Sequence, residues 1–306
     1  MDNKRVLITG CQGFIGSNLV QWIKQLYPQA RISGTVRKSR TMEGQEIVDL
    51  TEQKDVQKLI EKTAPDYIFH LAGILYAKGW EQYYEGNIKT GINILEALKA
   101  CGLHTKIVLL GSAAEYGNVA IKDLPLTEEQ PIKPVSLYGL SKACQTQAAY
   151  YYCSQGLDIV TARLFNVFGR GISKELSIGS FLYQIEKIVS GEELPILATG
   201  NLEACRDYLF VEDVCSALVC LAENGVSGEI YNVCAGSSVS MKWIVDQMIK
   251  NTGKKIEVRI DSSKYKPIDV ENIYGSFGKL ANVGGWKPCV GVEDGIARMM
   301  KMPASL

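Results

Sequence analysis

Tyr138 and Lys142 stand four residues apart in the run Tyr138-Gly139-Leu140-Ser141-Lys142, a spacing that puts both side chains on one face of a helix. An ammonium beside a phenol stabilises the phenolate and lowers the phenol's pKa toward neutrality. A tyrosine tuned in this way exchanges a proton with a carbonyl or carbinol oxygen, which is general acid–base chemistry. The pair alone is a weak signal, because Tyr-x-x-x-Lys also occurs on solvated helix faces. Ser112 upstream and a glycine-rich turn near the start of the chain give it a context.

That turn is Gly10-Cys11-Gln12-Gly13-Phe14-Ile15-Gly16. It follows the apolar run Arg5 to Thr9, which reads as a strand. It precedes residues 17–26, where Leu19, Val20, Ile23 and Leu26 share a helical face. Strand, glycine turn, helix is the setting in which G-x-x-G-x-x-G marks a dinucleotide-phosphate turn. The first glycine permits the bend, the second lets backbone approach a pyrophosphate, and the third allows close helix–strand packing. The helix then points its free N–H groups at the phosphates.

The alternation continues, with strands expected over 30–36, 46–49, 67–72, 106–110 and 158–163 and helices over 56–62, 87–100 and 138–154. This pattern predicts an α/β fold with a Rossmann-type doubly wound parallel sheet, its ligands at the carboxyl ends of the strands. After Gly169 the pattern loosens. Helix-like 179–190 and 241–251 and the polar loop 199–206 suggest a smaller mixed α/β lobe at the C-terminal end. A helix over 213–223 and a strand over 229–234 read as elements returning to the main sheet. The expected division is therefore a dinucleotide-binding domain of residues 1–168 with about 208–235, and a substrate lobe of 169–207 with 236–306.

Composition narrows the partners. Lys+Arg and Asp+Glu both number 33, which argues against general binding to nucleic acid or an anionic membrane. No apolar run of about 18 residues is present to span a bilayer, and Met1 to Arg5 leads directly into a strand-like run unlike a secretory signal. Nine cysteines are scattered without a C-x-x-C pair, and the two histidines, His70 and His104, add no zinc spacing. The expectation is a cytoplasmic, metal-free protein with buried reduced thiols.

Six motifs occur in order: the glycine turn; His70-Leu71-Ala72-Gly73; Asn87 in a helix; Gly111-Ser112-x-x-x-Tyr116-Gly117; Tyr138-x-x-x-Lys142; and Arg163-Leu164-Phe165-Asn166-Val167-Phe168-Gly169. Together they resemble the extended short-chain dehydrogenase/reductase family of nucleotide-sugar epimerases, dehydratases and reductases, over nearly the whole chain. Gly200 to Tyr208 and Tyr231-Asn232-Val233-Cys234 are most similar to the branch that reduces GDP-linked 4-keto-6-deoxymannose. The resemblance implies a catalytic Ser112, Tyr138 and Lys142. It also implies cofactor contacts from Gly10, Gln12, Gly13, Phe14, Ile15, Gly16, Asp49, Leu50, Leu71, Ala72, Gly73 and Asn87, together with Tyr138 and Lys142. In the mechanism it implies, Lys142 also holds the nicotinamide ribose while Tyr138 protonates the C4 oxygen.

The end of the second strand bears on cofactor choice. The run Gly34-Thr35-Val36-Arg37-Lys38-Ser39-Arg40 has no acid to hold a ribose 2′-hydroxyl, and Arg37 offers a planar fork to a 2′-phosphate. NADP(H) is therefore favoured, with NAD(H) use left open. In the dehydratases of the family an acid–base pair follows the active-site Ser/Thr. Here Ala113 and Ala114 stand there, with Glu115 displaced by one position, which argues against dehydration. Reductase and epimerase share the same residues; Arg37 and the C-terminal resemblance favour the reductase, with an NAD-dependent 4-epimerase as the alternative. A non-catalytic nucleotide-binding regulator is disfavoured by the intact triad.

Substrate contacts implied by the resemblance are Ser112, Ala113, Asn166, Arg206 and Lys266, the last standing where relatives carry arginine. Lys78, Tyr83, Lys174 and Glu175 read as loop residues and are further candidates to line the sugar. The expected substrate is a nucleoside-diphosphate 4-keto-6-deoxyhexose. Family members often dimerise through a four-helix interface that includes the Tyr-x-x-x-Lys helix, so a homodimer is expected, with Tyr150-Tyr151-Tyr152 either at that interface or packed inside the subunit.

Overall fold

The computed structural model describes residues 1–37, 43–264 and 271–301. In chain order the first half runs β1 (Arg5–Thr9), α1 (Phe14–Leu26), β2 (Arg31–Val36), β3 (Gln45–Ile47), α2 (Gln53–Thr63), β4 (Tyr67–His70), α3 (Trp80–Tyr83), α4 (Thr90–Cys101), β5 (Lys106–Ser112), α5 (Leu137–Ser154), β6 (Asp158–Leu164) and β7 (Asn166–Phe168). The second half adds α6 (Ser177–Ser190), β8 (Ile196–Thr199), β9 (Cys205–Arg206), β10 (Tyr208–Phe210), α7 (Val211–Asn224), β11 (Ile230–Val233), β12 (Val239–Ser240), α8 (Met241–Thr252), β13 (Glu257–Ile260), β14 (Asn272–Ile273), α9 (Gly278–Gly284) and α10 (Val292–Lys301).

Seven strands form one parallel sheet in the order β11-β6-β5-β4-β1-β2-β3. Its strands are apolar on both sides because helices cover both faces. Val6 and Ile8 pack with Phe69, Val108 and Leu110 toward α1 and α7. Leu7 faces the other way with Ile68, Ile107 and Leu109, against Leu59 of α2 and Leu98 of α4. The strand expected at 229–234 does return to this sheet, at the edge beside β6. A third cluster is built from Phe181, Ile185, Leu197, Ile244, Met248 and Ile296 and a fourth from Ala113, Tyr116, Leu126, Phe165, Cys234 and Ile273, beside the small pairings β8·β13, β7·β10 and β12·β9·β14.

Register sets the functional edge. Thr9 lies opposite His70 and His70 opposite Leu109, so β1 and β4 end together, while β5 and β6 run three residues further, to Ser112 opposite Leu164. The helix expected over 87–100 is present, and in the structure it starts earlier and is wound differently at its beginning. A wide π turn spans Tyr84–Lys89 before α4 begins at Thr90. Such turns are rare and gather at functional sites; this one carries Asn87. The loop expected over 199–206 ends in the short strand β9, which pairs with both β12 and β14.

Candidate active site

At the carboxyl edge of the sheet lies a cleft of about 680 Å³. It runs from Gly10 and Gly13 to Gly16, past Leu71 to Gly73, to Ser112, Tyr138 and Lys142, and on to Asn166 and Arg206. The glycine turn forms one end. Gly10 has φ +66°, a left-handed backbone that glycine adopts without steric cost. A Cβ on Gly16 would sit 2.2 Å from the Gly10 carbonyl oxygen, so only glycine lets the turn close this tightly. Helix α1 then starts without a side-chain cap, which leaves its first N–H groups available at the cleft.

The loop after β4 is fixed at both ends. Thr9 Oγ1 accepts the N–H groups of Leu71 (3.1 Å) and Ala72 (3.0 Å). At the far end Asn87 Oδ1 accepts from Ile74 N at 2.7 Å, and Asn87 Nδ2 donates to Ile74 O (3.0 Å) and to Ser141 Oγ (2.9 Å). Ser141 in turn donates to the Tyr138 carbonyl at 2.7 Å. Asn87 thus borders the cleft with its amide committed to protein, pinning the loop to α5.

Ser112 is held from behind. Its N–H donates to Glu115 Oε1 at 2.7 Å and its hydroxyl accepts from Ala114 N at 3.2 Å, a capping box over the 3-10 turn Ala113–Glu115. The other Glu115 oxygen accepts from Arg163 Nη2 at 2.9 Å, with both side chains buried. Arg163 also donates to the Tyr116 hydroxyl at 3.0 Å and stacks 4.7 Å above that ring. Glu115 is therefore a structural anchor facing away from acid–base work. Helix α5 begins against this turn: Ser136 Oγ accepts from Gly139 N at 3.0 Å, and a Cβ on Gly139 would lie 2.4 Å from the Ala114 carbonyl oxygen. That close approach brings Tyr138 into hydrogen-bond contact with Ser112.

The electrostatics correct one expectation. Tyr138 is raised above an ordinary phenol, first by burial, with the Ser112 hydrogen bond pulling down and the Glu115 charge pushing up. It is not lowered, because Lys142 Nζ turns along its own helix and donates to Gln145 Oε1 at 2.5 Å. Burial takes Lys142 down to about 8, with Glu115 opposing. His70, fully enclosed, falls to about 3 and stays neutral, consistent with a packed strand residue.

Beside the glycine turn a second hollow of about 440 Å³ is lined by Gly10, Gln12, Gly13, Thr35, Val36 and Arg37. Gln12 donates from its amide to Gln45 at 2.8 Å there. Asp49 and Leu50 lie outside the lining of both hollows. Asp49 Oδ1 accepts from Thr51 N and Oγ1, and these bonds lower its carboxyl, with the charge of Arg37 adding to them. At the other end Ala113, Asn166 and Arg206 line the cleft. Asn166 Nδ2 donates to the Asp207 carbonyl at 3.0 Å and Arg206 Nη1 to the Cys205 carbonyl at 2.8 Å. Tyr83, expected in a loop, ends helix α3 and its ring sits 6.3 Å from the Tyr138 ring, and Tyr76 donates to the Glu175 carbonyl at 3.4 Å. Lys174 packs instead over Tyr183, and Lys78 N donates to Gln82. Lys266 lies outside the described residues.

Residues 6–234 match the NAD dependent epimerase/dehydratase family. The chain belongs to that family. Family membership makes it an enzyme of an NAD(P)-dependent oxidoreductase type. It is 26% identical over 302 residues to GDP-6-deoxy-D-mannose reductase of Pseudomonas aeruginosa, covering 97% of this chain and 96% of that one. It is 28% identical over 286 residues to GDP-6-deoxy-D-talose 4-dehydrogenase of Aggregatibacter actinomycetemcomitans, covering 92% and 91%. Among solved structures, RMD from Pseudomonas aeruginosa complexed with NADPH superposes with a TM-score of 0.88 at 26% identity, covering 97% of this chain and 98% of that one.

The site fits an NAD(P)-type cofactor on its own geometry. The glycine turn has no room for a Cβ at Gly16, α1 presents uncapped N–H groups, and one cleft continues from them to Tyr138 and Lys142. Several of this family member's site residues escaped sequence reasoning. Thr9 carried no motif signal, although it is fully buried and holds Leu71 and Ala72. Glu115 was read only as an acid displaced from the dehydratase position; its Ser-x-x-Glu spacing from Ser112 is the signal for the capping box, and its partner Arg163 lies 48 residues on. Asp207 is a buried carboxyl accepting from the N–H groups of Ala235, Gly236 and Gly275, and burial pushes it up to about 6. Among the described residues no helix is long and apolar enough to cross a membrane.

Proposed function

We propose that this enzyme reduces the 4-keto group of a nucleoside-diphosphate 4-keto-6-deoxyhexose, using NADPH and Tyr138 as the proton donor, with a GDP-rhamnose-type product. The observation that carries this reading is the contact of Ser112 with Tyr138 at the head of the cleft, with Lys142 one turn behind. When bound, the nicotinamide supplies hydride. The chain's residues do the rest. Ser112 and Tyr138 hydrogen-bond the carbonyl oxygen and orient it. Tyr138, raised by burial, keeps its proton at neutral pH and delivers it as charge develops on that oxygen. Lys142 stabilises the phenolate left behind and holds the ribose hydroxyls.

Two features support reduction over water elimination. Ala113 and Ala114 carry no proton to move, and Glu115 is committed to Arg163. Arg37 at the rim of the second hollow supports NADPH over NADH. Residues 1–168 with 208–235 act as the cofactor half in this reading, and 169–207 with 236–306 as the nucleotide-sugar half. There Asn166, Arg206 and Lys266 meet the sugar diphosphate.

The test is NADPH oxidation with GDP-4-keto-6-deoxymannose, run beside the thymidine-linked 4-keto-6-deoxyglucose. Stoichiometric oxidation with the first supports the reading. Interconversion of C4 epimers without net NADPH consumption would replace it with the 4-epimerase.

A further inference from the structure

We propose that Gln145 is the positioning residue for Lys142, holding the lysine head inward along α5 and governing when it carries charge; the inference rests on the reading of Lys142 as the cofactor-side lysine. The argument is one of donors and acceptors. Thr9 Oγ1 accepts two backbone N–H groups, from Leu71 and Ala72, which uses both its lone pairs. Its own proton therefore goes to His70 Nδ1, 2.9 Å away, and the proton of the neutral imidazole sits on Nε2. His70 Nε2 is buried and unpartnered, and so is Gln145 Nε2. A Cβ on Gly91 would stand 3.2 Å from the amide nitrogen and 3.6 Å from the imidazole nitrogen. Both donors thus border the space that this glycine leaves, while the one amide oxygen is taken by Lys142.

The charged lysine therefore imposes a frustrated interior. Once Lys142 gives up its proton, the amide can turn over: Nε2–H donates to the neutral amine, and Oε1 comes to the side of the His70 Nε2–H. The uncharged state is the better satisfied one, since unmet buried donors are costly. That is the direction in which Lys142 is shifted by burial. The other groups facing it are Glu115 from the turn after β5, which favours the charge, the neutral His70 at the end of β4, whose protonation it disfavours, and Tyr138 one turn earlier on its own helix. From the π turn and α4 the neighbours Asn87 and Gly91 are uncharged.

Gln145→Glu places an acceptor at both ends, for Lys142 and for the His70 Nε2–H, whereas Gln145→Met removes both. The experiment measures unfolding free energy of the cofactor-free protein from pH 7 to 10.5 for wild type, both variants and Lys142→Met, and the NADPH dissociation constant over the same range. A buried lysine with a depressed pKa makes stability rise with pH between its folded and unfolded values. We expect the onset of that rise, and of the loss of NADPH affinity, to move up by about one pH unit or more in Gln145→Glu. It should move down in Gln145→Met, and Lys142→Met should lack the rise. Curves for wild type and both Gln145 variants that run parallel would overturn the proposal, because a merely structural glutamine changes stability by a pH-independent amount. Gln145→Glu is isosteric and decides the question even where the methionine variant fails to fold. A wild type that binds NADPH yet reduces neither ketosugar sinks the functional reading and leaves this inference standing.

Discussion

Replacing Glu115 by Gln tests the support of the site at its most costly point. Glu115 and Arg163 are 0% and 2% exposed, so neither finds water when its partner is lost. A glutamine keeps an oxygen for the Ser112 N–H, but it turns an N–H₂ toward Arg163 Nη2 and leaves a buried guanidinium without its counter-charge. Breaking one side of such a pair costs about 3–5 kcal/mol. Unfolding entropy scales with length, about 2 cal/mol/K per residue, so this cost corresponds to a fall in thermal midpoint of about 5–8 °C. Differential scanning calorimetry measures it directly. Arg163→Met in the same background should recover much of the loss, because removing both charges leaves no orphan. A single variant losing less than about 1 kcal/mol, or strict additivity in the double variant, would refute the reasoning. Turnover should fall as well, since the same carboxylate fixes the turn carrying Ser112.

Tyr138→Phe should lower turnover by orders of magnitude while NADPH binding, read by fluorescence titration, stays near wild type; near-normal turnover would reject Tyr138 as the proton donor. Arg37→Ser should weaken NADPH by about 10- to 100-fold, the worth of one charge-assisted phosphate contact, and leave NADH unchanged in steady-state kinetics. Lys142 loses its charge as pH rises through about 8, so NADPH affinity should decline above that value, and calorimetry in buffers of different ionisation enthalpy should register proton uptake on binding. Tyr150 and Tyr151 are 67% and 56% exposed on α5; light scattering should find a homodimer that Tyr150→Glu weakens.

The parallel sheet was legible in the sequence because its strands are apolar runs buried on two faces, and apolar periodicity carries that information locally. The Tyr138 and Lys142 pair was legible from helix spacing, whereas Ser112 was picked out by the motifs that carry the family resemblance. What stayed hidden depends on pairings between distant positions. The approach of Gly139 to the Ala114 carbonyl and the Thr9 contacts to Leu71 and Ala72 have no local pattern. The π turn at Tyr84–Lys89 has no local pattern either, and the Asn87 it carries bonds across to Ile74 and Ser141.

The direction of the Tyr138 shift shows most clearly what spacing leaves open. Four residues apart guarantees a shared helix face, yet a lysine has four rotatable methylene bonds with which to choose a partner. Here it chooses Gln145, and burial then dominates at Tyr138. A phenol that keeps its proton is an acid in waiting, suited to meeting a carbonyl oxygen. The reverse reaction would need the phenolate, and hence a lysine drawn away from Gln145 toward the cleft. Gln145, which accepts from the Lys142 ammonium, lies one turn further into α5 than the motif that marks the site.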